Sequence, residues 1–184
     1  YRSYLASYRT DCWCIMADTL KTDKNTLIAW MTIRRGLGFT GAISACMIGG
    51  AFAFEYLGGL MPCTMCIWQR WPHAIIIVAA LIGLRGIAPA AMMGLIAITA
   101  AVSIGLGGYH AGVEWHLWQG PGGCTAVLAS NMAVTDLVDK LLATPVVRCD
   151  EVAWSFLGIS MAGWNAVSSM DMLLIALFAM LGRS

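Results

Sequence analysis

The sequence predicts an all-α membrane protein, a four-helix transmembrane bundle with one short and one long loop on the same side. The long loop is expected to carry an interfacial amphipathic helix. Three observations point there. Hydrophobic residues make up 59% of the 184-residue chain and charged residues 11%, against about 45–50% and about 25% in soluble domains. Four apolar runs reach the roughly 20 residues that a helix needs to cross a bilayer. Arginines flank these runs at alternate ends, so the cationic side chains gather on one side. The first observation excludes a soluble enzyme and a disordered chain. The formal net charge of +1 leaves no basic surface for nucleic acid, so none is expected as a partner.

The first run extends from Gly36 to about Leu57 and is uncharged until Glu55. The second, from about Thr64 to Leu84, is interrupted once, by Arg70. The third, Gly86 to Tyr109, has no charge, and the fourth, from near Val152 to Gly182, holds only Asp171. None shows the period-2 alternation of a barrel strand. Arg34, Arg35, Arg85 and Arg183 fall on one side, read as the cytoplasm, together with both termini. The other side receives the loop around Gly58–Pro62 and a long loop from about His110 to Glu151. That long loop sets Lys140 and Arg148 against Glu114, Asp136, Asp139, Asp150 and Glu151.

Residues 1–33 read as an N-terminal cytoplasmic extension without a part in the chemistry, and residues 34–184 as the membrane domain. The extension lacks the apolar core of a signal peptide, and Met31 ahead of Arg34 and Arg35 makes a natural start.

This topology sorts the cysteines. Cys63 and Cys66 lie at the non-cytoplasmic mouth of the second run, Cys124 and Cys149 in the long loop, and Cys12 and Cys14 on the reducing side. Cys46, inside the first run, reads as a small apolar filler. Four thiols therefore gather where disulfides persist. Cys63-Thr64-Met65-Cys66 is a C-x-x-C at a helix start, after Pro62. Its sulfurs share a face, and the helix N-terminus favours the reactive thiolate. Arg70 is one turn further along the same face. A guanidinium costs on the order of 2.5–3.5 kcal/mol if left bare in lipid, so it needs a partner. A Cys66 thiolate or a quinone carbonyl would serve, and snorkelling to the headgroups is the plainer possibility.

A structural disulfide or a zinc site built from Cys63, Cys66, Cys124 and Cys149 stays open at this point, although the wide separation of the last two suits a disulfide better. Gly36-Leu37-Gly38-Phe39-Thr40-Gly41 satisfies G-x-G-x-x-G but follows no strand, so it is not read as a dinucleotide site. These glycines, with Gly105, Gly107, Gly108, Gly158 and Gly163, are read as helix-packing positions. His110, Glu114 and His116 could suggest a metal, but are read as interfacial polar residues beside Trp115 and Trp118. No metal is therefore expected. Asp171 is read as a snorkelling or bundle-facing residue near the cytoplasmic end of its helix. Residues 126–143 have one apolar and one polar face and suit a helix lying on the membrane surface.

From about Arg34 to Gly182 the chain resembles the disulfide bond formation protein B (DsbB) family of membrane quinone reductases. The resemblance rests on Pro62-Cys63-Thr64-Met65-Cys66-Ile67-Trp68-Gln69-Arg70, on Tyr109-His110-Ala111-Gly112-Val113-Glu114-Trp115, and on Gly120-Pro121-Gly122-Gly123-Cys124. Cys149-Asp150-Glu151 and Met161-Ala162-Gly163-Trp164-Asn165 add to it. It implies a bacterial inner-membrane enzyme that re-oxidises a periplasmic thioredoxin-fold (DsbA-like) disulfide donor and passes electrons to quinone, ubiquinone or menaquinone. By the same resemblance Cys124 and Cys149 form the loop disulfide, and Cys124 takes the mixed disulfide with the partner. Cys63 then bonds transiently to Cys149, Cys66 becomes the thiolate facing the quinone, Arg70 holds a quinone carbonyl and His110 is near the ring. A vitamin-K-epoxide-reductase-like relay is the alternative, disfavoured because its quinone-side C-x-x-C belongs to a late helix. A non-catalytic protein using the cysteines as metal ligands is a further one.

Overall fold

The computed structural model describes residues 32–121 and 148–181. Four helices there are long and apolar enough to cross a membrane: α1 Thr32–Tyr56, α2 Thr64–Leu84, α3 Pro89–Glu114 and α4 Met161–Leu181. The all-α membrane bundle expected from the sequence is the fold. A two-stranded antiparallel hairpin, β1 Ser155–Phe156 and β2 Ile159–Ser160, leads into α4. Residues 126–143 and Cys12, Cys14 and Cys124 lie outside the described residues, as does Arg183.

Each boundary has a local cause. Cys63 caps α2 with its own sulfur, Sγ accepting the Cys66 N–H at 3.2 Å, a role usually taken by Ser, Thr, Asp or Asn. The α2–α3 turn passes through Gly86 and a left-handed Ala88 (φ 42°) before Pro89 opens α3, where proline's missing N–H is no loss. Leu57, Gly58 and Leu60 return their N–H groups to carbonyls of the last turn of α1.

Three boundaries differ from expectation. The chain is already helical at Thr32, the first described residue, so Arg34 and Arg35 lie within α1 rather than preceding it. α3 runs on to Glu114, which moves His110 and Glu114 from the long loop into the helix. Both are buried and supplied with partners, so their polarity does not end the helix. α4 starts at Met161, not near Val152, because Leu157 (φ 52°) and Gly158 (φ 77°) turn the chain sharply in the hairpin.

The bundle buries a core of aliphatic, small and polar side chains and turns many further large apolar ones outward, toward lipid. Its interior joins Leu37 of α1, Ile76 and Ala80 of α2, Met93, Ile96 and Ala100 of α3, and Met172 and Ala176 of α4. Ser169 Oγ donates to Ser103 Oγ at 2.9 Å, and Ser44 Oγ to Met172 Sδ at 3.2 Å. Phe39, Val78, Ile98 and Phe178 are exposed. α3 and α4 meet closely at Gly107, where an added Cβ would stand 3.0 Å from the Ala162 carbonyl oxygen. Gly36 and Gly41 likewise sit against neighbouring helices, whereas Gly38, Gly105 and Gly108 face open space. Asp171 also departs from expectation. It occupies the middle of α4 and is exposed on the outer face, neither bundle-facing nor near an end.

Candidate functional site

The start of α2, the last turn of α3 and the segment before the hairpin converge at one end of the bundle. Cys63, Met65, Val113 and Cys149 form a second small core there, with Cys66 packed against it. Cys63 is 5% exposed and Cys149 1%. Cys63 and Cys66 are free thiols with their sulfurs 2.8 Å apart. Cys149 is disulfide-bonded, and its partner is none of the free cysteines 46, 63 and 66. The Cys63 and Cys149 sulfurs and a ring nitrogen of His110 lie within 4.8 Å of one another. A sulfur already in a disulfide is no thiolate ligand, so this trio forms a metal-binding set only after reduction.

His110 joins the cysteines to two further side chains. Its Nε2 stands 3.6 Å from Cys63 Sγ and 4.0 Å from Glu114 Oε1, one turn further along α3. Its Nδ1 meets Gln69 Nε2 at 2.6 Å. With the amide nitrogen so oriented Nδ1 accepts, and Nε2 carries the ring proton. Glu114 takes a short hydrogen bond from the Ser160 hydroxyl. Ser160 Oγ in turn accepts the Gly163 N–H at 3.2 Å, which fixes it at the N-terminus of α4. His116 is exposed in the turn after α3 and takes no part in this group.

Cys63 is the sulfur on which the site stabilises charge. The Cys66 thiol donating to it, then His110, bring its pKa from the usual thiol value down to about 4, against the opposing effect of burial.

A cavity of about 250 Å³ opens beside the thiols. Cys66, Arg70, His73, His110, Glu114 and Asn165 contribute to its walls, the rest being mainly apolar. Arg70 has a partner that the sequence reading missed. Its Nη1 lies 2.6 Å from Glu55 Oε2 of α1, and its guanidinium sits over the Phe52 ring, 4.9 Å from the centroid. Arg70 Nε, however, has no hydrogen-bond partner among the described residues, nor has Asn165 Nδ2. His73, also passed over, donates from Nε2 to Asn165 Oδ1 at 2.6 Å, and its Nδ1 faces Ser44 Oγ at 3.3 Å. A histidine in an otherwise apolar span is the signal that could have found it.

Of the residues expected at the site, Cys63, Cys66, Arg70 and His110 thus line one cavity, and Cys149 packs against Cys63 beside it. Cys124 lies outside the described residues.

The sequence profile of the family described as Disulfide bond formation protein DsbB matches residues 33–179. A protein of Marinobacter nauticus named Disulfide bond formation protein B is 32% identical over 165 residues, covering 83% of this chain and 95% of its own. One of the same name from Aromatoleum aromaticum is 29% identical over 148 residues, with 76% and 86% covered. An uncharacterized protein of Rickettsia prowazekii is 26% identical over 136 residues, covering 72% and 78%. No solved structure matches significantly.

Proposed function

The chain belongs to the disulfide bond formation protein DsbB family, and from that premise we propose that this multi-pass, disulfide-forming membrane oxidoreductase re-oxidises a periplasmic thioredoxin-fold (DsbA-like) oxidase and delivers the electrons to membrane quinone. The observation that carries the reading is the approach of the Cys149 sulfur to the Cys63 sulfur, within 4.8 Å. A loop disulfide and a helix-capping thiol pair so close can exchange with little movement.

In this scheme the reduced partner attacks the Cys124–Cys149 disulfide at Cys124. Partner thiolate and Cys124 form a mixed disulfide, and Cys149 leaves as a thiolate. The partner's second thiol displaces Cys124, which releases the partner oxidised. Cys149 then attacks Cys63 of a Cys63–Cys66 disulfide and displaces Cys66 as the thiolate; attack of the Cys124 thiol on the Cys63–Cys149 bond restores the loop disulfide and leaves Cys63 and Cys66 reduced. One dithiol is oxidised for each dithiol formed, so two electrons and two protons move inward. Quinone is the two-electron, two-proton acceptor for the resulting dithiol, becoming quinol.

The cavity suits such an acceptor. Its apolar wall fits a ring entering from lipid, and Arg70 Nε is a buried donor without a hydrogen-bond partner among the described residues, fit to hold a carbonyl. Glu55 neutralises the guanidinium independently of any ligand, so Arg70 acts as a hydrogen-bond donor rather than an unpaired charge. His110 borders the same space.

The arginine distribution supports placing both termini and residues 1–33 in the cytoplasm, with 34–184 as the catalytic domain in the bacterial inner membrane and the redox cysteines facing the periplasm. Quinone reduction driven by a reduced thioredoxin-fold partner tests the whole. Cys63→Ser and Cys66→Ser each abolish it; retained turnover in either overturns the reading.

A further inference from the structure

Glu114 is a carboxyl group in the last turn of a membrane-crossing helix, 8% exposed, and the thiol–quinone scheme does not use it. It is nonetheless elaborately held. The Ser160 hydroxyl donates to Oε2, and that hydroxyl is itself fixed by the first turn of α4. Oε1 faces His110 Nε2 at 4.0 Å, and the same nitrogen faces Cys63 Sγ at 3.6 Å. One ring nitrogen thus stands between a thiol and a carboxyl, and Gln69 pins the other.

Two anions beside each other in a buried site are costly, as is any step that changes its net charge. We propose that Cys63 and Glu114 exchange the site's single negative charge across His110 Nε2, so that Glu114 holds a redox-linked proton. This rests on the quinone-linked reading above and deepens it. In the dithiol state Cys63 is a thiolate, and the proton it has lost is on Glu114. The transfer goes through one nitrogen: Nε2 gives its proton to Glu114 and takes the proton of Cys63. When the pair is oxidised, the Cys63–Cys66 bond forms and two electrons depart. One proton leaves Cys66 and the other leaves Glu114, which becomes the carboxylate paired with His110 Nε2–H. The protein carries one negative charge before and after, and the two electrons and two protons match what quinone takes up. Glu114 acts through His110 and so is a positioning and proton-holding residue. Its place on the cavity wall puts the stored proton beside the space assigned to the acceptor.

Glu114→Gln separates this role from a structural one, because the amide still accepts the Ser160 hydrogen bond. Infrared difference spectra of quinone-free protein, reduced and reoxidised by a soluble dithiol couple, are expected to show a protonated-carboxyl band in the reduced state. That band disappears on oxidation and is missing in Glu114→Gln. With quinone and a reduced partner, Glu114→Gln slows quinone reduction by roughly tenfold or more, leaves thiol–disulfide exchange with the partner unchanged, and Glu114→Asp recovers part of the rate. A wild-type spectrum without the band, a band that persists in Glu114→Gln, or full turnover by that variant overturns the proposal. Wild-type protein that passes no electrons to quinone overturns the quinone reading alone, because the infrared experiment contains none.

Discussion

Arg70 of α2, on the wall of the cavity beside the thiols, and Glu55 of α1 form an ion pair 2.6 Å long, each side chain about one-fifth exposed. Arg70 is the one charge inside α2 and Glu55 sits in the last turn of α1, and each neutralises the other where water is scarce. The pair also ties the end of α1 to the C-x-x-C helix, with Phe52 closing over the guanidinium.

Breaking one side of this pair strands the other. Glu55→Gln is expected to lower stability by about 1–3 kcal/mol, less than the roughly 3–5 kcal/mol of a fully buried pair because both groups retain some solvent. Thermal unfolding of purified protein in detergent measures it. Unchanged stability shows that Arg70 finds compensation elsewhere.

Cys63 should react as a thiolate throughout the neutral range. With its pKa lowered to about 4, alkylation of the reduced protein, mapped to Cys63 by mass spectrometry, stays flat with pH and falls only on approaching that value. The sign for stability follows. The thiolate's contribution is complete above the ordinary thiol pKa of about 8.5 and is lost progressively as pH drops toward about 4. His110→Ala moves the alkylation midpoint upward by removing a donor; a midpoint at the ordinary thiol value in wild type contradicts the assignment.

Gly107→Val tests the α3–α4 contact. The new Cβ meets the Ala162 carbonyl oxygen and the Ala166 nitrogen, each at 3.0 Å, and backbone cannot yield as a side chain can. A loss of about 1–3 kcal/mol is expected. Quinone reduction should fall as well, since spreading these helices separates Ser160 from Glu114. Wild-type thermal stability in this variant rules the tight contact out.

Asp171 carries a charge on the outer face at mid-helix, and no ion pair holds it among the described residues. Nothing in the bundle explains it. Asp171→Leu should ease membrane insertion by on the order of 2.5–3.5 kcal/mol, read as a larger membrane-inserted fraction, with turnover unchanged. A lower inserted fraction indicates that the carboxylate has a partner in the membrane.

The spans were legible because lipid imposes a length and a composition on them. α2 was read to its observed ends, since Pro62-Cys63 and Arg85-Gly86 punctuate it on both sides. α3 and the hairpin were not, for a shared reason. His110 and Glu114 look interfacial in sequence but are paid for by Gln69 and Ser160, which come from other segments, and a left-handed Leu157 has no signature of its own. The cysteines and Arg70 could be found from spacing and charge. Glu55 could have been found too, since two lone opposite charges lay toward the same mouth of the bundle. The Ser160–Glu114 contact, between residues 46 apart, had no local signal.

In the proposed relay the sulfur that caps α2 is also the one that is oxidised and reduced, so the first turn of that helix becomes a gauge of oxidation state. A thiolate is a better acceptor for the Cys66 amide than a sulfur committed to a covalent bond. Deuterium uptake at that one peptide nitrogen should therefore quicken each time Cys63 is oxidised and slow each time it is reduced, recording the catalytic cycle in the backbone.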